Sequence, residues 1–304
     1  MVRIRQVAWA LACVGGLWAS AGCRESVPQN PPLASASGSR PRIPEGEAGR
    51  VLEKAIAAAG GWRAWQALKD VTFVSTLTIF DSRGEATSET IFLHKQPLHR
   101  GPLIRMESIG LREEVLFGYD GRHSWMFRGG RWVDHPQEKM FTEFHGISSV
   151  LSFGLPFVLA EMEGLTLAYA GQEGDEDQRW EKLRVVYADE LRSPIRWAIL
   201  YFDADSGLLD HVYAQVEAPF LQHPTWLGRW REYREVAGVR QERVRSFYPA
   251  DPGGVPVAGL AAEQLIEHVQ FNVGLPASLF QLPLRTEGGS LTWDRQRKAA
   301  SVPG

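Results

Sequence analysis

The chain is expected to fold as an α+β protein that is mainly β, an antiparallel sheet covered by a few helices. Three observations predict this. Apolar and polar residues alternate along most of the chain, tight-turn residues separate these runs, and helical periodicity is confined to two stretches. The strand-like runs follow one another locally, which argues against a parallel α/β sheet.

The N-terminus reads as an export signal. Arg3 and Arg5 precede an apolar run from Val7 to about Ala19, followed by Ser20, Ala21, Gly22 and Cys23. A charged start, an apolar middle and small residues at the end predict a signal peptide over residues 1–22. The run is shorter than the roughly 20 residues of a membrane-spanning helix, and Gly15 and Gly16 interrupt it, so a retained anchor is the alternative. Cleavage before Cys23 leaves one thiol and no internal disulfide. An unpaired thiol in an oxidising compartment calls for a use. The stretch "SAGC" resembles the bacterial lipobox, with Ser20 where that motif carries Leu. The resemblance implies lipidation of Cys23 and makes the membrane a partner. A free thiol in a floppy tail is the bland reading. Arg24 follows the cysteine where enterobacterial sorting would place Asp for inner-membrane retention, which points to the periplasmic face of the outer membrane. Residues 23–44 are rich in Pro, Ser, Ala and Asn, bury little, and read as a flexible tether.

Residues 45–284 are expected to form one domain and residues 285–304 a frayed tail. The formal charge of −3 becomes about −5 without Arg3 and Arg5, 36 acids against 31 bases. No basic block could track a phosphate backbone, so nucleic acid is not an expected partner. The first helical stretch begins at "EGEAGRVLEKAIAAAGG", breaks at Gly60 and Gly61, and resumes with Trp62, Trp65 and Leu68. Strands are expected at "VTFVSTLTIF", "RWAILYF", "HVYAQV", "WREYREV" and "VRSFY", with turns at "YDGR", "RGGR" and "DADSG". The paired glycines of "RGGR" suit a type I′ turn, whose two central positions need positive φ.

Chemistry is hard to find along the chain. "FDADSG" fails as a calcium loop, because counting from Asp203 places Gly207 fifth and Ala214 twelfth. The eight histidines are scattered, and no nucleophile motif, phosphate loop or Cys/His cluster occurs. No catalytic residue, metal or cofactor is therefore expected. Arg229, Arg231, Arg234, Arg240, Arg243 and Arg245 are interleaved with Glu232, Glu235 and Glu242, which reads as a cross-strand ion-pair ladder, with an anionic-headgroup site as the rival.

The second helical stretch, "EKMFTEFHGISSVLSFGLPFVLAEM", holds the candidate ligand site. Met140, Phe141, Phe144, Ile147, Val150, Leu151, Leu155 and Val158 repeat at helical spacing, so that face should be buried. Phe153, Phe157 and Leu159 widen it, and Gly154 and Pro156 interrupt it. One reading is two short core helices joined at Pro156. The other is a hinged lid whose surplus face, Val150, Leu151, Phe153, Leu155, Phe157 and Val158, touches an apolar ligand.

Taken in order, "AGGWRAWQALKDV", "GYDGRHSW", "LYFDADSGLLDHV", "REYREVAGVRQERVRSF" and "FNVGLPASLFQLP" resemble the LolA/LolB-like superfamily of envelope proteins over about residues 47–283. The resemblance implies a strongly curved antiparallel half-barrel with helices closing its concave face over a cavity for acyl chains. It implies a carrier or acceptor of lipid or lipoprotein that needs no cofactor; that the domain is not an enzyme is expected from the lack of a nucleophile–base or metal constellation in the chain. No functional arginine or lid residue of the family maps onto this sequence by motif. If the cavity is filled by side chains, an interaction or scaffolding lipoprotein is the alternative.

Overall fold

The computed structural model describes residues 41–281 apart from 102, 122, 176, 190–192, 219 and 220. Cys23, the signal, most of the tether and the C-terminal tail lie outside the described residues.

Helix α1 (Glu47–Ala58) buries Val51, Leu52, Ala55 and Ile56 along one face. It ends where Gly60 and Gly61 take φ of 114° and 88°. Gly60 is required on a second count, since a Cβ there would lie 2.2 Å from the carbonyl of Gly238. Helix α2 (Trp62–Gln66) then restarts the chain and buries Trp65.

Six strands follow: β1 (Asp70–Phe80), β2 (Ala86–Pro97), β3 (Leu103–Ile109), β4 (Val115–Asp120), β5 (Ser124–Arg128) and β6 (Arg131–Trp132). Gly129 and Gly130 both have positive φ between β5 and β6, as the "RGGR" turn requires. Helices α3 (Pro136–Phe153) and α4 (Phe157–Glu161) come next, divided at Pro156. The second run comprises β7 (Leu165–Gly174), β8 (Arg179–Tyr187), β9 (Ile195–Asp203), β10 (Leu209–Val216) and β11 (Thr225–Arg231). After the small hairpin of β12 (Arg234–Val236) and β13 (Val239–Gln241) come β14 (Val244–Pro249) and β15 (Ala262–Phe271).

Thirteen strands form one sheet in the order β6-β5-β4-β3-β2-β1-β15-β14-β11-β10-β9-β8-β7. Every neighbouring pair in it is antiparallel. Two meanders, β1–β6 and β7–β11, are thus joined through β14 and β15. The sheet is open, with β6 and β7 at its edges, so the α3–α4 segment connects one edge to the other. Alternation gives the sheet two faces. Phe73, Ile104, Phe117, Leu183, Leu200 and Ile266 lie on the face packed with α1, α3 and α4, forming the main core. A smaller cluster around Tyr201, Tyr213 and Leu227 and another around Trp125 and Phe127 lie on the opposite face.

Two expectations need correction. "WREYREV" is not one strand. The chain leaves the large sheet after Arg231, takes φ of 58° at Glu232, and starts the β12–β13 hairpin. That hairpin packs its Gly238 beneath Gly60, so α1 and α2 rest on it. The buried face of α3 is also rotated from the expected one. Thr142, Gly146, Ile147, Ser149, Leu151 and Phe153 are buried, whereas Met140, Phe141, Phe144 and Val150 are half-buried. Small residues face the sheet because the helix sits close to it: a Cβ on Gly146 would lie 3.1 Å from Ile104 and 3.2 Å from Tyr119. Apolar periodicity alone misplaces a face whose contact row is Thr, Gly and Ser.

The arginine ladder is partly a surface network, with Arg231 on Glu263 and Arg243 between Glu232 and Glu267. Arg245 departs from it, being 2% exposed and paired with the equally buried Glu242. "FDADSG" is a turn in which the Asp203 carboxylate accepts from the backbone and hydroxyl of Ser206.

Candidate functional site: the layer between helices and sheet

The candidate ligand residues cluster at the junction of α3 and α4, and they divide into two groups. Leu151, Phe153 and Phe157 are fully buried. Phe153 stacks on Phe73 of β1 at 4.5 Å with the rings 6° from parallel. Phe157 stacks on Trp65 at 4.6 Å and 4°. Val150 and Leu155 are half-buried against the same core, and Val158 is half-buried beside Gly154. The surplus aromatics therefore fill space between helix and sheet.

Polar contacts fasten the same layer. Ser149 of α3 meets His94 Nδ1 at 3.3 Å and accepts a hydrogen bond from Gln96 Nε2 at 2.9 Å. His94 Nε2 lies 2.7 Å from the Ser75 hydroxyl. Burial, then the charge of Arg245, then that of His145 hold His94 well below its usual value, so its ring is neutral. One turn further on, Arg245 donates to Ser152 Oγ at 2.9 Å and Gln264 Oε1 at 3.2 Å, while its Nε donates to Glu242 at 2.7 Å. Thus α3 is pinned to β2 and β14 by two serines at helical spacing. A sequence reading could have noticed Ser149 and Ser152 as polar residues in an apolar run, but their partners are far along the chain.

Helix α4 is held by a different device. Glu161 accepts from Trp65 Nε1 at 2.9 Å and contacts His99 Nδ1 at 2.6 Å. His99 Nε2 faces the Leu68 carbonyl at 2.8 Å. Both partners of the ring are acceptors, so both nitrogens carry a proton and His99 is an imidazolium. Burial opposes that charge, but the Glu161 hydrogen bond and charge, with the backbone carbonyls, outweigh it and raise the pKa above 6.5. A raised histidine stabilises the fold fully below its unfolded pKa and loses that contribution as pH rises through the folded value. The α4 clasp is accordingly expected to weaken above about pH 6.5. Histidine NMR titration should show His99 titrating above the usual value, and Glu161→Gln should bring it down. A His99 that titrates normally in both forms would refute the clasp.

Beside α4 the layer opens. A cavity of about 260 Å³ lies between α4 and the edge strand β7, lined chiefly by Ile43, Pro44, Leu159, Met162, Leu165 and Leu167. Its apolar walls belong to the main core, and Leu159 is buried there. Arg42 crosses its mouth, bonding the Ala160 carbonyl at 2.8 Å through its amide and pairing with Glu163. Among the described residues no group of three His, Cys, Asp or Glu could hold a metal, and no helix is long and apolar enough to cross a membrane.

No family model and no curated protein matches the sequence. Solved structures do. A LolA superfamily protein from Nitrosomonas europaea superposes with a TM-score of 0.51 at 10% identity, covering 77% of this chain and 97% of that one. A DUF1329 family protein from Desulfovibrio piger gives 0.51 at 10% identity, over 76% and 96%. The architecture is therefore LolA-like, a mainly antiparallel sheet with few helices.

Proposed function

We propose that the chain is an exported bacterial envelope lipoprotein, lipidated at Cys23 and tethered to the periplasmic face of the outer membrane by residues 23–44. Its single domain, residues 45–284, binds a lipid or acyl chain as carrier or acceptor and performs no catalysis. The observation that carries this reading is the groove beside α4. It is mostly apolar, with Arg42 and Glu163 also lining it, opens at a sheet edge, and adjoins the core. Its volume falls just under the range of about 300–1,000 Å³ typical of small-molecule sites, which suits one segment of an acyl chain. In this reading the sheet curls into a half-barrel. Thirteen strands laid flat would span about 58 Å. The bridge between the edges holds about 35 Å of helix and nine non-helical residues with a reach of about 30 Å, so it spans a flat sheet only when almost fully extended and a curled one easily.

The stacked rings of Phe153 and Phe157 favour the second reading, a scaffolding lipoprotein with a filled core. One experiment divides them. The intact mass of protein extracted from its membrane reads both the acyl group on Cys23 and any co-purifying lipid. In parallel, Met162→Trp with Leu167→Trp should fill the groove, since both positions are only half-buried. Binding of an environment-sensitive fatty-acid probe is expected to weaken about tenfold or more, as for a pocket altered by a side chain, with the circular dichroism spectrum unchanged. Saturable binding untouched by the filled groove would remove the site from α4. No lipid and no saturable binding would favour the scaffold.

A further inference from the structure

The sheet face turned away from the helices carries aromatic residues that a ligand in the groove would not touch. Cross-strand pairing lines up Arg184, Ile199, Tyr213, Leu227 and Tyr248 over β8, β9, β10, β11 and β14. The next row brings Val186 beside Trp197. The Trp197 ring meets Tyr213 edge-on at 5.2 Å, and the Arg184 guanidinium lies 5.5 Å from the Trp197 ring. Tyr213 donates to the Asp251 carbonyl at 2.9 Å, which holds the loop after β14 on this face. That loop presents Val255 and Val257, exposed by 61% and 54%, and Val186 is exposed by 39%.

The charges around this patch are uneven. Arg196 sits on Asp189 and Glu217, and Lys182 on Glu173. Arg184 and Arg229 are exposed and have no carboxylate partner among the described residues. The patch thus pairs interfacial aromatics with two free cations, the combination that suits a lipid headgroup layer with its phosphates. The tether enters at the neighbouring sheet edge, on the helix-side face of β7. Arg42 and Ile43 sit against Leu165 and Leu167 of β7, and β7 pairs directly with β8 through Thr166 opposite Val186 and Ala168 opposite Arg184. About 18 residues separate Cys23 from Pro41, a reach of about 60 Å at most. We propose that this face docks on an anionic lipid surface, with Trp197, Tyr248 and the exposed valines at headgroup depth and Arg184 and Arg229 on phosphates. The proposal rests on the anchored reading but not on ligand binding in the groove.

Val186→Cys in the full lipidated chain supplies the test. Acylation blocks Cys23, so the new thiol alone takes a fluorophore, and a second label per chain would expose failure of the anchor itself. The protein is reconstituted in phosphatidylcholine vesicles with and without phosphatidylglycerol, both carrying nitroxide-labelled lipid. Quenching is expected in the phosphatidylglycerol vesicles. Each free arginine should contribute about fivefold to docking, so Arg184→Glu with Arg229→Glu should weaken it by about 25-fold or more. The same variant should bind the fatty-acid probe normally, which separates this surface from the groove. A fluorophore equally unquenched in both vesicle types would overturn the proposal, as would quenching indifferent to the charge reversal. Retention on peptidoglycan that depends on the two arginines, without quenching, would assign the face to a glycan and overturn it too.

Discussion

Replacing Arg245 with alanine is expected to lower the unfolding free energy by about 3–5 kcal/mol, the range for removing one partner of a buried ion pair. The site meets the conditions for the upper part of that range. Arg245 and Glu242 are exposed by 2% and 4%, and the guanidinium also serves Ser152 and Gln264. Truncation strands a carboxylate with no route to water and releases α3 from β14. Burial already pushes the Glu242 carboxyl above its ordinary value although Arg245 pulls it down. For the Glu242 carboxyl itself, desolvation outweighs the attraction of Arg245. It follows that Arg245→Met combined with Glu242→Leu should recover most of the loss, as apolar replacements of buried pairs often do. Denaturant titrations with constant m-values test both statements. A single variant within 1 kcal/mol of wild type, or a double variant less stable than the single, would contradict the account.

What was legible in the sequence was whatever is local. Gly60 and Gly61 end α1 because their backbone angles exclude side chains, and such constraints are written in residue type. Gly129 and Gly130 mark their turn for the same reason, and Pro156 divides α3 from α4. The face of α3 was not legible, since Thr142, Gly146 and Ser149 carry no apolar signal and gain their role from closeness to β2, β3 and β4. Nor was Asp70, whose carboxylate accepts three amides from Val273, Gly274 and Leu275 and ties the chain after β15 back to the start of β1. Its partners lie 203 to 205 residues away, beyond any periodicity. The candidate site divides in the same manner. The apolar surplus around Pro156 singled out α3 and α4, but none of Val150, Leu151, Phe153, Leu155, Phe157 and Val158 lines the groove. The groove is built from residues on both sides of those helices, Ile43 and Pro44 before and Leu165 and Leu167 after, which only the β7 edge brings together.

Phe153→Ala is expected to cost about 3–5 kcal/mol, the usual range for emptying a buried aromatic site. Phe153 is 1% exposed, stacked face to face on Phe73, and tilted 6.2 Å from Phe271, so three elements lose contact when it goes. His94 also stacks on Phe73, at 4.2 Å, and cannot move inward without leaving the hydroxyls of Ser75 and Ser149. The site therefore collapses poorly, and the cost should lie toward the top of the range. Val158→Ala supplies the contrast: the side chain is half-buried and smaller, and the expected loss is about 1 kcal/mol or less. The pair also reads function. An apolar space left by Phe153 stays dry and can accept an apolar guest. If the α3–α4 layer forms part of an acyl site, the alanine variant should bind the fatty-acid probe more tightly than wild type while unfolding at lower denaturant. A loss of stability with unchanged probe affinity would show that Phe153 is core alone, and would confine ligand binding to the groove at the β7 edge.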